Sequence, residues 1–364
     1  MALSIGIVGL PNVGKSTLFN ALTDNNILAA NYPFATIEPN TGIVPIPDAR
    51  LAKLAEVYGS QKLLPATVTF VDIAGLVEGA SKGEGLGNQF LNHIRSTNAI
   101  VQVVRAFSDD NVQHVDEDHN PQKDIDVINT ELVLADLQTV EKRLPQTEKL
   151  AKSDAKLRPV VDLLKEVKDT LDAGQPLFQK GDEWRTKNSE LLQDLHLLTM
   201  KPVIYLFNVD EADLSDAARQ QELRDLVAPA QCLFVCAKLE SELRGLDESD
   251  RQELLDSYGV TESGLNQLAH AAYDTLGLQS YLTAGEKEIR AWTIKQGATA
   301  PEAAGEIHTD FEKGFIAAQI IDYDDLIAAG SEAAAKQSGK VITAGKDYIM
   351  KPGDVVEFRF NVSK

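Results

Sequence analysis

The sequence predicts an α/β protein with a mostly parallel sheet, interrupted by a helical hairpin and followed by a small mixed domain. Three observations predict this fold. Apolar runs of strand length alternate with helical patterns in the first part of the chain. Two narrow amphipathic stripes lie within residues 126–200, and after about residue 279 short strands surround one capped helix. Alternating strands and helices are typical of parallel sheets that are covered by helices on both faces.

The strands of the sheet are predicted from apolar runs bounded by polar or turn residues. Runs of this length that are separated by helical patterns favour buried parallel strands. The first run leads into a helix that begins near Lys15 and carries Leu18 and Leu22 on one face. The predicted strands are residues 4–8, 67–71, 99–104, 202–207 and 233–235.

The helical hairpin is predicted from two stripes with a spacing of four, three and four residues. A stripe this narrow is better matched by a partner helix than by a sheet, so we favour a protruding arm. The alternative is an elaborated helix of the α/β domain. The stripes are joined by a lysine-rich segment at 149–156 and consist of Val133, Leu137, Val140 and Leu144, then Val160, Leu164, Val167 and Leu171.

The C-terminal part is predicted to be a small mixed sheet with one helix. Thr299 and Glu302 form a capping box, and Pro301 is tolerated in the first turn of the helix that follows. Residues 315–321 and 355–362 have the pattern of strands. The predicted domains are therefore 1–125 with 201–278, the helical insertion 126–200, and the C-terminal domain 279–364.

Length, composition and cysteine content favour a cytoplasmic protein of two or three domains. The chain has 364 residues, 43% hydrophobic and 25% charged. Its net charge of −20 argues against indiscriminate nucleic-acid binding, although 35 Lys and Arg could still form a local basic face. The N-terminus does not have the pattern of a secretory signal, and no apolar run is long enough to span a bilayer. Cys232 and Cys236 do not form a zinc or redox motif, so a reducing compartment is expected.

A phosphate-binding loop is predicted between the first strand and the first helix. Residues 9–16 satisfy the pattern G-x-x-x-x-G-K-[ST] in this context. Gly9 and Gly14 allow the backbone amides to form a nest for phosphate oxygens at a helix N-terminus. Lys15 supplies a positive charge to the β- and γ-phosphates, and the Ser16 hydroxyl can ligate Mg²⁺. We favour a nucleoside-triphosphate site over a chance glycine turn because strand, spacing and Lys-Ser pair occur together.

A second motif supports the first. Asp72 and Gly75 form D-x-x-G at the end of the strand 67–71, so Asp72 can hold the Mg²⁺ shell and the Gly75 amide can meet the γ-phosphate. Thr36 lies between the first helix and the next predicted strand, where a threonine would complete the Mg²⁺ shell. A surface threonine is the alternative there. Together the motifs predict loops that respond to the γ-phosphate.

Base selection is expected after the strand 202–207. GTPases carry N-K-x-D there, and the aspartate accepts two hydrogen bonds from guanine; this chain has Asn208, Val209 and Glu211 at the corresponding positions. The longer Glu211 side chain displaces the carboxylate by one methylene, which weakens a guanine preference and opens the pocket to adenine. Cys236 and Ala237 stand where the S-A-K loop of GTPases contacts the base.

The sequence does not identify the group that positions the attacking water. Ras-like proteins carry a glutamine after D-x-x-G, whereas Leu76 can neither orient nor deprotonate water. Slow hydrolysis, or a group supplied from elsewhere, is the resulting hypothesis. The candidates are His93 and His114, and each has the alternative of a surface or structural histidine. We favour His114 because its loop is expected near the phosphate end of the sheet.

These motifs resemble those of the Obg-related YchF proteins, the Obg-like ATPases. The resemblance rests on residues 9–17, 31–36, 72–76 and 208–211, and it covers essentially the whole chain. Residues 309–315 and 353–356 are similar to that family's terminal TGS domain, a ubiquitin-like β-grasp module. Leu76 is also in keeping with the resemblance, which implies a hydrophobic residue at the position where Ras-like proteins carry a glutamine.

The resemblance implies ATP in preference to GTP, Mg²⁺ dependence, and association with ribosomes, including the large subunit. It further implies RNA contact through the arm and the TGS domain. Ser16 and Thr36 are implied as the metal ligands. The residues implied to surround the phosphates are Asn12, Val13, Gly14, Lys15, Ser16 and Thr17.

The favoured hypothesis is therefore a slow, ribosome-associated ATPase that acts as a conformational switch in translation or its regulation. Two alternatives stay open. One is a GTPase of the translation-factor type. The other is a nucleotide-gated module that binds RNA or protein and has little need for hydrolysis.

Overall fold

Six strands form the first sheet; five of them follow the predicted apolar runs, and the strand at Thr41–Pro45 was not predicted. The computed structural model describes residues 3–23, 40–73, 86–108 and 120–361. The bounds of the observed strands differ from the predicted bounds by one or two residues. The six strands are β1 (Ser4–Gly9), β2 (Thr41–Pro45), β4 (Thr67–Asp72), β5 (Ala99–Arg105), β6 (Val203–Asn208) and β7 (Gln231–Val235).

The strand order is β2-β4-β1-β5-β6-β7, and the pairs from β4 to β7 are all parallel. Every residue of β5 and β6 is buried, as expected for central strands that are covered on both faces. The predicted α/β class is confirmed. The carboxyl ends of β1, β4 and β6 lie at the same edge of this sheet, which is where a ligand of an open parallel sheet is bound.

Helices are numbered along the whole chain, and most of them accompany the first sheet. They are α1 (Lys15–Thr23), α3 (Leu86–Ser96), α4 (Pro121–Ala151), α5 (Arg158–Asp172), α6 (Asp182–Leu192), α7 (Ala217–Val227), α8 (Ala237–Glu242) and α9 (Glu248–Ser257). Helix α10 (Gly264–Thr275) follows. Short 3-10 helices include Gln193–Leu195 and Leu198–Met200.

Helices α4 and α5 form the predicted hairpin, which we call the arm. Lys165 lies 3.1 Å from Glu148, and Lys168 lies 3.6 Å from Glu141. Because the later α5 residue meets the earlier α4 residue, the two helices are antiparallel. All eight residues of the predicted stripes belong to or pack against one apolar cluster, which α6 completes with Leu192.

A buried carboxylate joins α4 to the chain that returns to the sheet. Asp136 is 1% exposed and accepts hydrogen bonds from the backbone N–H groups of Leu198 and Thr199 at 2.8 and 2.7 Å. The Thr199 hydroxyl donates to the same carboxylate at 2.7 Å. Burial raises the pKa of Asp136 to about 6, and the three donors and nearby Arg95 oppose that rise.

The second sheet is mixed and also has six strands. They are β3 (Leu63–Leu64), β8 (Leu278–Ala284), β9 (Ile289–Lys295), β10 (Phe315–Asp322), β11 (Val341–Ala344) and β12 (Asp354–Phe360), in the order β11-β10-β12-β8-β9-β3. The predicted β-grasp fold is confirmed, with two strands predicted near their observed positions. Strands β3, β8, β9 and β11 were not predicted from the sequence.

The predicted capping box opens α11 (Ala300–Ile307). The Glu302 carboxylate accepts from the backbone N–H of Thr299 at 2.7 Å and from its hydroxyl at 2.8 Å. Ala300, Ala303 and Ala304 of this helix are fully buried in the core of the second sheet, beside Tyr281. Three shorter helices follow, α12 (Thr309–Lys313), α13 (Tyr323–Ala329) and α14 (Glu332–Gln337), so the prediction of one helix in this domain was wrong.

The chain divides into two compact units, Met1–Ile43 with Thr69–Leu268, and Val44–Val68 with Ala269–Lys364. The second unit therefore includes a segment from near the N-terminus, which contains α2 (Ala49–Tyr58) and β3. The sequence did not indicate this contribution, and the boundaries 125, 200 and 278 stay predictions. The predicted start of the insertion at 126 lies inside α4.

In the part of the chain that the structure describes, no helix combines the length and apolar character needed to cross a bilayer.

Candidate nucleotide-binding site

The predicted phosphate loop joins β1 to α1, and its shape depends on two residues with left-handed backbone. Asn12 has φ 63° and Gly14 has φ 91°. Such residues turn successive amides toward one side, which is how a backbone nest for an anion forms. Gly9 is required for a different reason, since a Cβ there would lie 2.9 Å from the Val13 side chain and 3.1 Å from the carbonyl oxygen of Val103.

Lys15 begins α1 and forms an ion pair with Asp72. The pairing follows from the sheet, because β1 and β4 are parallel neighbours in which Ile7 lies opposite Asp72. The Asp72 backbone N–H donates to the carbonyl of Asn40 at 2.7 Å. Lys15 is only 9% exposed, so its charge is largely shielded from water and held at the mouth of the loop. The two predicted motifs therefore meet in space.

The oxygen donors here fit a hard cation such as Mg²⁺. Ser16, beside Lys15, presents an exposed hydroxyl, and Asp72 supplies a carboxylate. Mg²⁺ is usually bound by one or two protein oxygens together with substrate phosphates and water. Within the described ranges no cluster of three or more His, Cys, Asp or Glu could hold a metal by itself. The Ser16 hydroxyl and the Asp72 carboxylate fit an ion that is bound together with a nucleotide.

Asn208 connects the phosphate loop to the predicted base loop. It is 3% exposed, its amide group donates to the carbonyl of Val13 at 3.0 Å, and its carbonyl oxygen accepts from the N–H of Ala237 at 3.0 Å. A Cβ on Gly14 would overlap the amide nitrogen of Asn208, so the glycine is needed for this close approach as well as for its φ. Asn208 thus acts as a clamp between two loops.

The remaining base-loop residues separate into buried and surface groups. Val209 is 1% exposed and its N–H donates to the carbonyl of Val235 at 2.8 Å, so its side chain belongs to the core. The carboxylate of Glu211 lies 2.8 Å from Nζ of Lys238, whose side chain is 71% exposed. This ion pair raises the pKa of Lys238. Cys236 is buried, and burial raises the pKa of its thiol, so it is a weak nucleophile.

A second buried carboxylate lies behind the base loop. Glu240 is 6% exposed, and its carboxylate accepts from the N–H of Leu265 at 3.3 Å, near the start of α10. Burial raises the pKa of Glu240 to about 7, and the donors at Ser263, Gly264 and Leu265 oppose that rise. The position of the base loop is therefore linked to α10 through a group that titrates near neutral pH.

The structure brings most of the predicted site residues together. Asn12 to Lys15 form the loop, Asp72 pairs with Lys15, and Asn208 joins the loop to Ala237. Ser16 and Thr17 are exposed at the start of α1. Thr36, Gly75, Leu76 and His114 lie outside the described residues. His93 is exposed on α3.

Two contributors were not predicted from the sequence. Lys238 was not predicted as the partner of Glu211, and Glu240 was not predicted at all. The signal for Lys238 was its place as the third residue of the S-A-K-like loop. The sequence gives no signal for Glu240, since its burial depends on α10.

Comparison with known proteins identifies the family. A family described as "50S ribosome-binding GTPase" matches residues 4–136, and the family YchF-GTPase_C, described as a protein of unknown function, matches residues 278–361. The chain is 50% identical over 368 residues to "Ribosome-binding ATPase YchF" of Bacillus subtilis, covering all of both chains. It is 51% identical over 367 residues to the protein of the same name in Escherichia coli O157:H7, again covering all of both.

A solved structure, "Structure of the Schizosaccharomyces pombe YchF GTPase", matches with a TM-score of 0.86 and 39% identity. The match covers 98% of this chain and 97% of that one. The match therefore includes both the P-loop domain and the terminal β-grasp domain of this chain. The chain belongs to the YchF family.

Proposed function

We propose that the chain is a Mg²⁺-dependent ATPase that associates with ribosomes and works as a slow conformational switch. The observation that carries the proposal is the contact of Lys15 with Asp72 at the mouth of the phosphate loop. It brings together the lysine that would face the phosphates and the carboxylate that would help to hold the metal. The names of the bacterial relatives, which are ribosome-binding ATPases, support the same activity.

The preference for ATP is proposed from the state of Glu211. Guanine recognition needs a carboxylate that is available to accept from the N1–H and the exocyclic amine of the base. Here the Glu211 carboxylate lies in an ion pair with Lys238, and the side chain of Val209 is buried. Contacts to the base would then come from the backbone near Ala237 and from residues 208–211. These contacts would not include the two hydrogen bonds from guanine to a carboxylate. The fission yeast relative is named a GTPase, so GTP stays the alternative substrate.

The metal is proposed to be held by Ser16 and Thr36, with Asp72 in the surrounding shell. When it is bound, Mg²⁺ supplies charge to the β- and γ-phosphates. The protein residues keep the triphosphate in place: the loop amides from Asn12 to Thr17 bind it, Lys15 balances its charge, and the Gly75 amide meets the γ-phosphate.

The catalytic water group is proposed to be His114, because Leu76 follows D-x-x-G and can neither orient nor deprotonate water. The test is steady-state turnover of His114→Ala with Mg²⁺ and ATP, beside His93→Ala as the matched histidine change. Loss of turnover in the first variant alone supports the proposal. Equal turnover in wild type and His114→Ala removes His114 from the mechanism.

The partner is proposed to be the ribosome, including its large subunit, with RNA contacts through the arm and the C-terminal domain 279–364. A cytoplasmic location follows from that partner. Nucleotide-dependent changes in the loops around Thr36 and Gly79 would change the relative positions of the domains 1–125 with 201–278, 126–200 and 279–364. Co-sedimentation with ribosomes at graded salt tests this. Absence of the protein from the ribosomal fraction at low salt contradicts it.

The deciding experiment for the activity is a competition titration of ATP against GTP, with and without Mg²⁺. We expect ATP to displace GTP at lower concentration and the affinity of both to fall without Mg²⁺. Tighter GTP binding would make the chain a GTPase. Tight binding with no turnover of either nucleotide, together with intact ribosome association, would make it a nucleotide-gated binding module.

A further inference from the structure

A groove of about 410 Å³ lies between α3 and α4, at the base of the arm. Its floor is apolar and consists of Leu91, Ala135 and Leu195. Its walls carry the cations Arg95, Lys142 and Arg143 and the carboxamides Asn88, Gln138 and Gln146. Among the described residues no carboxylate lines it, although the chain as a whole carries a net charge of −20. A groove lined by one sign of charge in an oppositely charged protein needs an explanation.

Four other cations of the arm and of the chain that follows it are paired with carboxylates. On α5, Lys165 and Lys168 pair with Glu148 and Glu141 of α4. After α5, Lys180 lies 2.8 Å from Glu166, and on α6 Arg185 pairs with Asp182. These pairs lie along the α5 and α6 side of the arm. The positive charge of these four side chains is therefore balanced by carboxylates of the same chain.

Lys142 and Arg143 differ from those cations. In the described part of the chain neither makes an ion pair with a carboxylate. The positions three and four residues away on either side of each hold Gln, Thr, Val or Pro, so α4 itself offers no carboxylate on that face. Both side chains are exposed. Arg95 already has partners within the chain, since it donates to Asn92 at 2.9 Å and lies near buried Asp136.

We propose that this groove, which we call the α3–α4 groove, binds the phosphodiester backbone of single-stranded RNA. The inference rests on the proposed function in one respect, since it assumes that the ribosomal partner presents RNA. Arg, Lys, Asn, Gln and Thr are the side chains that usually contact phosphate and sugar, and the walls of the groove consist of these types. The lining residues on α4 run from 135 to 146, a rise of about 16 Å, which suits an extended strand.

An acidic peptide is the competing ligand, and the groove is less suited to it. Arginine clusters can recognise acidic motifs, but peptides that dock in grooves usually also bury apolar side chains in pockets or add to a sheet edge. The α3–α4 groove offers only a short apolar floor and lies between two helices. Sequence-independent backbone binding is therefore the better match, and base stacking is not expected because no aromatic residue lines the groove in the described ranges.

The test uses the full-length chain, a fluorescent oligouridylate, and anisotropy titrations at graded KCl. The variant is Lys142→Gln with Arg143→Gln. The matched control is Lys165→Gln with Lys168→Gln, which removes the same charge from the α5 side of the same arm. We expect the groove variant to bind about tenfold more weakly at low salt, and its slope of log affinity against log salt to fall in magnitude by about 1.4. The control should keep the wild-type slope.

Other outcomes overturn the inference. If both variants lose affinity and slope equally, the effect is one of net charge and the groove is not the site. If neither changes, RNA binds elsewhere. If oligoglutamate displaces the RNA at the same charge concentration, the partner class is wrong. None of the four substituted residues is buried, and unchanged ATP affinity shows that the variants are folded.

The proposed function has its own separate readout. Wild-type protein that fails to sediment with ribosomes contradicts the proposed function. A groove variant that still sediments like wild type at every salt concentration contradicts only the groove.

Discussion

The phosphate end and the base end of the site are built in different ways. The phosphate end depends on backbone shape, with left-handed residues at Asn12 and Gly14 and a close approach at Gly9. The base end depends on side chains, namely the buried amide of Asn208 and the Glu211–Lys238 ion pair. A backbone nest recognises any triphosphate, whereas the side chains decide which base follows it.

The comparison also shows where the two ends are joined. Asn208 belongs to the base loop by sequence, but its hydrogen bonds reach Val13 in one loop and Ala237 in the other. Changes at this residue should affect both ends, while changes at Lys15 or Lys238 should affect one. Four substitutions test this division, in order of decreasing effect.

The largest effect is expected for Lys15→Ala. The variant loses the charge that faces the β- and γ-phosphates, and a charge-assisted contact of this kind corresponds to about 100-fold in affinity. ATP and GTP should both weaken by the same factor, because Lys15 does not face the base. The measurement is an equilibrium titration with each nucleotide in the presence of Mg²⁺.

The control for Lys15 is Lys53→Ala, an exposed lysine on α2. It removes the same charge from the chain and should leave both affinities unchanged. A Lys15→Ala protein with wild-type affinity and turnover would mean that the loop is not the triphosphate site.

Asn208→Ala should come next, with a loss of about 2 to 3 kcal/mol in the free energy of unfolding. It deletes two buried hydrogen bonds and leaves the Val13 carbonyl and the Ala237 N–H without this partner. Affinity for ATP and for GTP should fall together, since both loops lose their connection. Chemical denaturation and nucleotide titration measure the two effects.

Asn129→Ala is the matched change outside the site. Asn129 exchanges hydrogen bonds with the Tyr205 hydroxyl at 3.2 and 3.5 Å. Asn129→Ala should lower the free energy of unfolding less than Asn208→Ala does. It should leave the nucleotide affinity of the folded protein unchanged. If Asn208→Ala changes only the ratio of ATP to GTP affinity, Asn208 contacts the base directly and the clamp interpretation is wrong.

The phosphate end of the site was also easier to predict from the sequence than the base end. Gly9, Gly14, Lys15 and Ser16 were predicted because local backbone geometry and phosphate chemistry leave few residue types at these positions. The strands β5 and β6 were predicted because strands that are buried on both faces are continuously apolar.

The features that sequence could not predict depend on distant contacts. Strand β3 pairs with β9, more than two hundred residues later, and its two residues carry no strand pattern of their own. The clamp at Asn208 and the pairing of Lys238 with Glu211 need the relative positions of two loops. The neighbours of Lys142 and Arg143 on α4 are in keeping with the lack of an ion pair for either among the described residues, but their groove requires α3 as its second wall.

The base end should also be the pH-sensitive end, through Glu240. Because its pKa is raised to about 7 in the folded state from an ordinary 4.5, protonated Glu240 stabilises the fold. That stabilisation is complete below about pH 4.5 and is lost as the pH rises through about 7. The difference in unfolding free energy between wild type and Glu240→Gln should therefore fall by on the order of 2 kcal/mol between pH 5 and 8.

Glu242→Gln is the control for Glu240, since it is the same change on an exposed residue of the same helix. Its difference from wild type should not vary in this way over the same range. A flat profile for Glu240→Gln would mean that the carboxylate stays ionised in the folded protein.

The smallest effect, and the most informative about base choice, is expected for Lys238→Gln. Loss of the ion pair frees the Glu211 carboxylate to accept from guanine, so the ratio of GTP to ATP affinity should rise about threefold, as for other exposed pairs. Lys238→Arg keeps the charge and should keep the wild-type ratio. The measurement is the ATP–GTP competition titration at low and high salt.

High salt should reproduce part of the effect of Lys238→Gln in wild type, because salt screens an exposed ion pair. If Lys238→Gln and Lys238→Arg shift the ratio equally, the lysine acts by packing against the base and the carboxylate has no part in selecting it.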